Sequence, residues 1–127
     1  MPWHAKLIPD LPIVETCYSG VLTSPELADA IHETLALVRS SGRTLLLGDC
    51  TALEGGHSLL DLYSHADALG PGGTGYVLKE AVLLPAVPAS AEMVKFWETL
   101  CCNRGMTVRI FQDRQTAIDW LLSGSDA

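Results

Sequence analysis

The chain has 127 residues, 48% hydrophobic and 18% charged. That size and balance suit a single domain, residues 1–127, that buries a core without disulfides or metal. The formal net charge is −7 with only eight Lys and Arg, and these form no stripe, which excludes nucleic acid and an anionic membrane surface as natural partners. The start, Met1-Pro-Trp-His-Ala-Lys6, has no apolar run behind it and predicts no secretory signal. No apolar run approaches the roughly 18 residues of a spanning helix, so no integral membrane segment is expected.

In chain order, His4 to Ile8 and Ile13 to Tyr18 read as two short strands joined by the turn Pro9-Asp10-Leu11-Pro12. Thr23-Ser24-Pro25-Glu26 opens a helix, since Thr23 and Glu26 have capping-box spacing and Pro25 suits a first turn. Leu27, Ile31, Thr34 or Leu35, and Val38 form its apolar face, and Gly42 supplies a left-handed stop. Thr44 to Cys50, "TLLLGDC", is a continuous apolar run suited to a strand covered on both faces. Asp49 to Ser58 then reads as a loop, and Leu59, Leu62, Tyr63, Ala66 and Leu69 recur at helical spacing.

"GPGGTG", Gly70 to Gly75, reads as a mobile connector, because it precedes a strand and lacks the Lys-Ser/Thr ending of a phosphate loop. Glu80 to Leu84 is another buried strand. A long helix follows the Pro85–Pro88 bend and runs to Arg104, with Met93, Phe96, Trp97, Leu100 and Cys101 on its apolar face and Gly105 as its stop. Thr107 to Phe111 is a strand. Asp113 caps a last helix with Ala117, Ile118, Leu121 and Leu122 inward. The order β-β-α-β-α-β-α-β-α predicts an α/β fold: a mainly parallel sheet of about five strands with an N-terminal antiparallel hairpin and helices packed on it.

The segments "YSGVLTSPEL" (Tyr18 to Leu27), "GRTLLLGDCTALEGG" (Gly42 to Gly56), "KEAVLLP" (Lys79 to Pro85) and "FWETLCCNRGMTVRIFQDRQTAIDWL" (Phe96 to Leu121), in this sequence and spacing, resemble the SpoIIAA-like family within the wider STAS-like group. The resemblance covers nearly the whole chain. It implies parallel strands in sequential order with helices on the sheet. STAS domains of the anti-sigma-factor-antagonist type are protein-binding modules. Their switch is a Ser or Thr at the start of the helix after the third strand, in an Asp-Ser-Ser-Gly or similar motif. Here that position holds Glu54-Gly-Gly-His-Ser58, with Ser58 as the hydroxyl at the helix start.

The residues of this segment are the candidate binding or regulatory site: Asp49, Glu54, Gly55, Gly56, His57 and Ser58. Ser58 with Asp61 is a capping pattern; a phosphate on Ser58 would also meet the free N–H groups of a helix start. Gly55-Gly56 either turns the chain sharply or exposes backbone N–H groups as an anion nest. Asp49, Glu54 and His57, with Pro85 and Asp113, belong at the carboxyl ends of the strands, where ligands of open α/β sheets gather. The two carboxylates and lack of a cation disfavour a bare phosphate there.

Cys50 and His57 could form a nucleophile and base, but no oxyanion donor accompanies them, so no catalytic residue is assigned. The four cysteines, Cys17, Cys50, Cys101 and Cys102, contain no C-x-x-C pair; free thiols in a reducing cytoplasm, no metal and no cofactor are expected. Phe96 and Trp97, with Trp3, Tyr76 and Trp120, are expected mainly in the core, where an exposed one would mark a contact surface.

The expected function is a non-enzymatic regulatory or protein-interaction module that forms a homodimer and meets a protein partner through the Asp49–Ser58 segment and the helix it opens. The alternative is a carrier that holds a small apolar or lipid-like ligand between sheet and helices. A carrier requires a cavity lined by Leu, Val and Trp; a contact module requires a packed core and an exposed apolar patch.

Overall fold

A computed structural model describes residues 2–56 and 58–124. Its elements are β1 (Trp3–Leu7), β2 (Ile13–Val21), α1 (Ser24–Ser41), β3 (Leu45–Gly55), α2 (Leu59–Leu69), a short turn of helix α3 (Pro71–Thr74), β4 (Lys79–Leu83), α4 (Pro88–Cys102), β5 (Thr107–Phe111) and α5 (Arg114–Leu122). The five strands form one sheet in the order β1-β2-β3-β4-β5. β1 pairs antiparallel with β2, and the remaining neighbours are parallel. Among the described residues, no helix is long and apolar enough to cross a membrane.

The strand alternation sends side chains to two different cores. Val14, Leu46, Val82 and Val108 point toward α1, α2 and α4, where they meet Ile31, Val38, Leu62, Ala66, Val94 and Leu100. Ile13, Leu47, Ala81 and Leu83 point the other way, onto Ala117, Trp120 and Leu121 of α5. Right-handed crossovers between sequential parallel strands place the connecting helices on one side. Only the terminal helix α5, which returns to no strand, is free to cover the opposite face.

Helix ends follow local chemistry. Thr23 and Glu26 close a capping box on α1, and Gly42 stops it in the left-handed conformation. Asp113 caps α5 through the Thr116 N–H. The other end of α5 is held by Lys79, whose Nζ donates to the Trp120 carbonyl at 2.8 Å and lies over the Trp120 ring. Between β2 and α1, the Thr16 and Thr34 hydroxyls meet at 2.6 Å in the core. Glu15, only 1% exposed, faces α5, where Lys6 and Arg114 neutralise it.

Four local expectations change. β2 and β3 run further than the sequence pattern suggests, because Ser19 to Val21 pair with Ala52 to Gly55 beyond an irregularity in the ladder. The Asp49–Ser58 "loop" is therefore largely strand, and the turn begins at Gly56. Gly70 to Gly75 contains the helical turn α3 rather than an irregular connector. Leu122 is 45% exposed while Trp120 is buried, since 117, 120 and 121 share one helical face and 122 is turned off it. In α2 the buried face is Leu62, Ala66 and Leu69, whereas Leu59 and Tyr63 remain largely open.

Gly56 secures the end of β3. Its φ is +105°, and a Cβ there would stand 2.4 Å from the Leu22 carbonyl oxygen. The neighbouring Gly55 carbonyl accepts from Leu22 N–H at 2.7 Å. Gly56→Ala should destabilise the protein by on the order of 3 kcal/mol, through backbone strain and displacement of fully buried Leu22. Denaturant melts check this, and an unchanged midpoint would contradict it.

Candidate functional site

The structure separates the sequence-nominated residues. Asp49 lies on the α5 face, beside Glu15 and Cys17, while its Oδ1 accepts from both the N–H and the hydroxyl of Thr51, at 3.0 and 2.7 Å. These bonds sit where the β2–β3 register shifts between Cys17↔Asp49 and Ser19↔Ala52. Asp49 thus closes the local kink that adds a residue to β3. Glu15, Cys17 and Asp49 bring three potential ligand atoms within 4.8 Å of one another. Both Glu15 oxygens, however, are already engaged by Lys6 and Arg114.

Glu54 and Gly55 end β3, and Gly56 makes the close backbone approach described above. Ser58 is the N-cap of α2: its Oγ accepts from the Asp61 N–H at 3.2 Å, and Asp61 Oδ2 accepts from the Ser58 N–H at 2.9 Å. Ser24 donates to the same Asp61 oxygen at 2.8 Å, tying the start of α1 to the start of α2. These bonds, with the Ser58 backbone first among them, hold the Asp61 carboxyl below its ordinary range. His57, nominated from sequence, lies outside the described residues. Cys50 is buried on the helix face, and burial pushes its thiol well up, which suits an inert thiol rather than a nucleophile.

A different constellation lies on the helix face. Between the sheet and α1, α2 and α4 is a cavity of about 70 Å³. Leu22, Leu27, Leu62, Val82, Val94 and Trp97 supply its apolar wall. Gly48 lies on the cavity-facing side of β3, and its missing side chain leaves room against the Glu80 carboxylate: a Cβ there would stand 3.4 Å from Glu80 Oε2. The β2–β3 irregularity turns both Cys50 and Leu53 toward the helices, so both reach the same cavity.

Glu80 is the polar centre of this space. Its Oε1 accepts from Trp97 Nε1–H at 2.8 Å. Burial pushes its carboxyl up to about 7, against a smaller opposing effect of the Trp97 hydrogen bond. Tyr18 and His65 also line the cavity. Burial raises the Tyr18 phenol, with the nearby Cys50 and Glu80 adding to it, and burial lowers the His65 imidazole against the pull of Asp61. From its sequence pattern Glu80 is only the first residue of a buried strand. The available signal was a carboxylate at an inward position of a strand otherwise apolar on that side, Glu80-Ala81-Val82, but its partner Trp97 lies 17 residues away on another element.

No family model and no curated protein matches the chain. A solved structure does: an uncharacterized protein from the DUF3478 family with a SpoIIAA-like fold from Shewanella loihica PV-4, with a TM-score of 0.57 and 17% identity over 94% of this chain and 91% of that one. The fold is SpoIIAA-like. The SpoIIAA-like architecture accounts for the antiparallel first strand, the sequential parallel sheet and the helices packed on it. At this identity it carries the architecture and not an activity.

Because folding raises the Glu80 carboxyl from 4.5 to about 7, this group's contribution to stability is present at low pH and is lost as pH rises through that interval. Glu80→Gln keeps an acceptor for Trp97 and removes the charge. It should raise stability relative to the unmodified protein at pH 8 by on the order of 2 kcal/mol, and by much less at pH 5. Urea melts at the two pH values measure the difference; an identical effect at both would refute the assignment.

Proposed function

We propose that this SpoIIAA-like domain is a non-enzymatic binding protein that holds a small, mostly apolar ligand in the cavity between its sheet and α1, α2 and α4. The observation that carries this reading is the cavity itself. It is lined by the Leu, Val and Trp side chains that a carrier requires, with the Glu80 carboxyl group at its polar end. A water needs roughly 10–15 Å³ of such space, so the cavity admits a ligand portion on the order of five heavy atoms. Cys50 and Leu53 contribute to the cavity wall, while Asp49 and Gly56 hold β3 to β2 and Ser58 starts α2.

1-Butanol is a suitable probe, and its titration into labelled protein should shift the methyl NMR signals of Leu62, Val82 and Val94. Gly48→Ala places a methyl group 3.4 Å from Glu80 Oε2 and should weaken this binding severalfold. Unmoved methyl signals in the unmodified protein at millimolar butanol would remove the ligand-binding reading.

A second reading, contact with a protein partner, is favoured by one feature of α2. Its first two turns expose Leu60 at 76%, Leu59 at 50% and Tyr63 at 43%, immediately after the Ser58 cap. A second copy of the chain is the simplest partner for this face. Light scattering at micromolar concentration should then give twice 13.6 kDa, and Leu60→Asp should return the mass to that of one chain. A monomer before substitution would count against the dimer.

A further inference from the structure

The cavity contains more polar capacity than its own residues use. Glu80 gives one oxygen to Trp97, while Oε2 faces the gap above Gly48. Among the described residues, neither Glu80 Oε2 nor the Tyr18 hydroxyl has a hydrogen-bond partner, although both residues line the same space. Both residues are partly buried, so the carboxylate oxygen and the phenolic oxygen open onto an otherwise apolar cavity and can each accept from a donor on a bound ligand.

The charge of that donor follows from what surrounds it. Among the described residues, no Lys or Arg lines the cavity. Lys79, adjacent to Glu80 in sequence, points to the opposite face of the sheet and binds the end of α5. The whole chain carries a net charge of −7. A ligand carboxylate would meet Glu80 without a counter-ion, whereas an ammonium would supply the missing opposite charge and several N–H donors.

We propose that the cavity binds the ammonium end of a short apolar amine, with Glu80 as its counter-ion, the Tyr18 hydroxyl as a further acceptor, and the alkyl portion against the Leu and Val wall. This rests on the cavity being a ligand site and adds the chemical class of the ligand. Alkylamines remain protonated throughout the neutral range, since a primary amine of this kind titrates near 10.4, roughly as lysine does. Binding therefore follows the ionised fraction of Glu80, which increases with pH around about 7.

Among the described residues, the other titratable groups facing Glu80 are Tyr18 from β2, Cys50 from β3 and Cys101 from α4; burial raises all three, away from the neutral range. α1 contributes apolar Leu27 and Ile31 to the cavity wall. α2 contributes His65, which lines the cavity and whose imidazole is lowered by burial. Protonated His65 would also repel an ammonium at acid pH, so its effect has the same sign as that of Glu80 and must be separated from it.

The test is an NMR titration of the full chain with butylammonium, 1-butanol and butyrate at pH 6 and pH 8, at equal ionic strength. Butylammonium should bind more tightly than 1-butanol at pH 8, and about tenfold more tightly at pH 8 than at pH 6, as the ionised fraction of a group titrating near 7 changes from about one-tenth to nine-tenths. Butyrate should bind most weakly. Glu80→Gln should retain 1-butanol binding, which shows that the cavity is still formed, but lose the preference for the amine and most of its pH dependence. His65→Gln should keep the preference and the main slope.

If 1-butanol binds as tightly as butylammonium at pH 8, or if Glu80→Gln keeps the amine preference, the amine assignment is overturned while the cavity remains a ligand site. If none of the three probes binds, the assignment falls together with the ligand-binding reading.

Discussion

The handedness of parallel crossovers governs this molecule. With four strands following one another in sequential parallel order, each connection must turn the same way, and α1, α2 and α4 are stacked on one face. The opposite face receives only α5, so the two sides of the sheet have different solutions to burial. On the α5 side, Glu15 is buried as an ion pair with Arg114 and Lys6, and Trp120 stacks under Lys79. On the crowded side, three helices of different lengths meet strands bearing residues of very different sizes. The cavity lies there because Gly48 faces Glu80 instead of a second large side chain.

Cavities left by small residues are usually apolar and dry. This one is unusual in having a carboxyl group with one oxygen committed to Trp97 and the other facing open space. Burial of that group without a cation destabilises its charged form, which is why its carboxyl is raised to about 7. A site so arranged is an opportunity for recognition: the folded state is penalised for the ionised carboxylate, and a matching ligand relieves the penalty.

The described polar residues between Asp49 and Ser58 make local structural bonds. Asp49 closes a kink in β3 through Thr51, Gly56 permits contact with the Leu22 backbone, and Ser58 shares a capping box with Asp61. Ser24 joins the same carboxylate, so the starts of α1 and α2 are held together at one edge of the cavity. Further along α2, Asp67 pairs with Arg104 in the turn after α4, and the Tyr63 and Phe96 rings meet edge to face. The polar residues therefore position the helix that roofs the cavity.

Local sequence determined the kinds of element and most of their limits. Thr23 with Glu26, Ser58 with Asp61, and Asp113 mark helix starts because their side chains satisfy N–H groups within three residues. The apolar runs at Leu45 to Leu47 and Ala81 to Leu84 marked strands for the same short-range reason. The resemblance to SpoIIAA-like proteins supplied strand order as well. The extension of β2 and β3 was not legible, because it depends on pairing across 33 positions of sequence, as in Ser19↔Ala52. The cavity was still less so. Gly48, Glu80 and Trp97 read separately as a strand glycine, a strand carboxylate and a core aromatic. Only the tertiary structure decided that they share one space, because empty volume is set by how layers from distant parts of the chain fail to fill one another, and no local pattern records it.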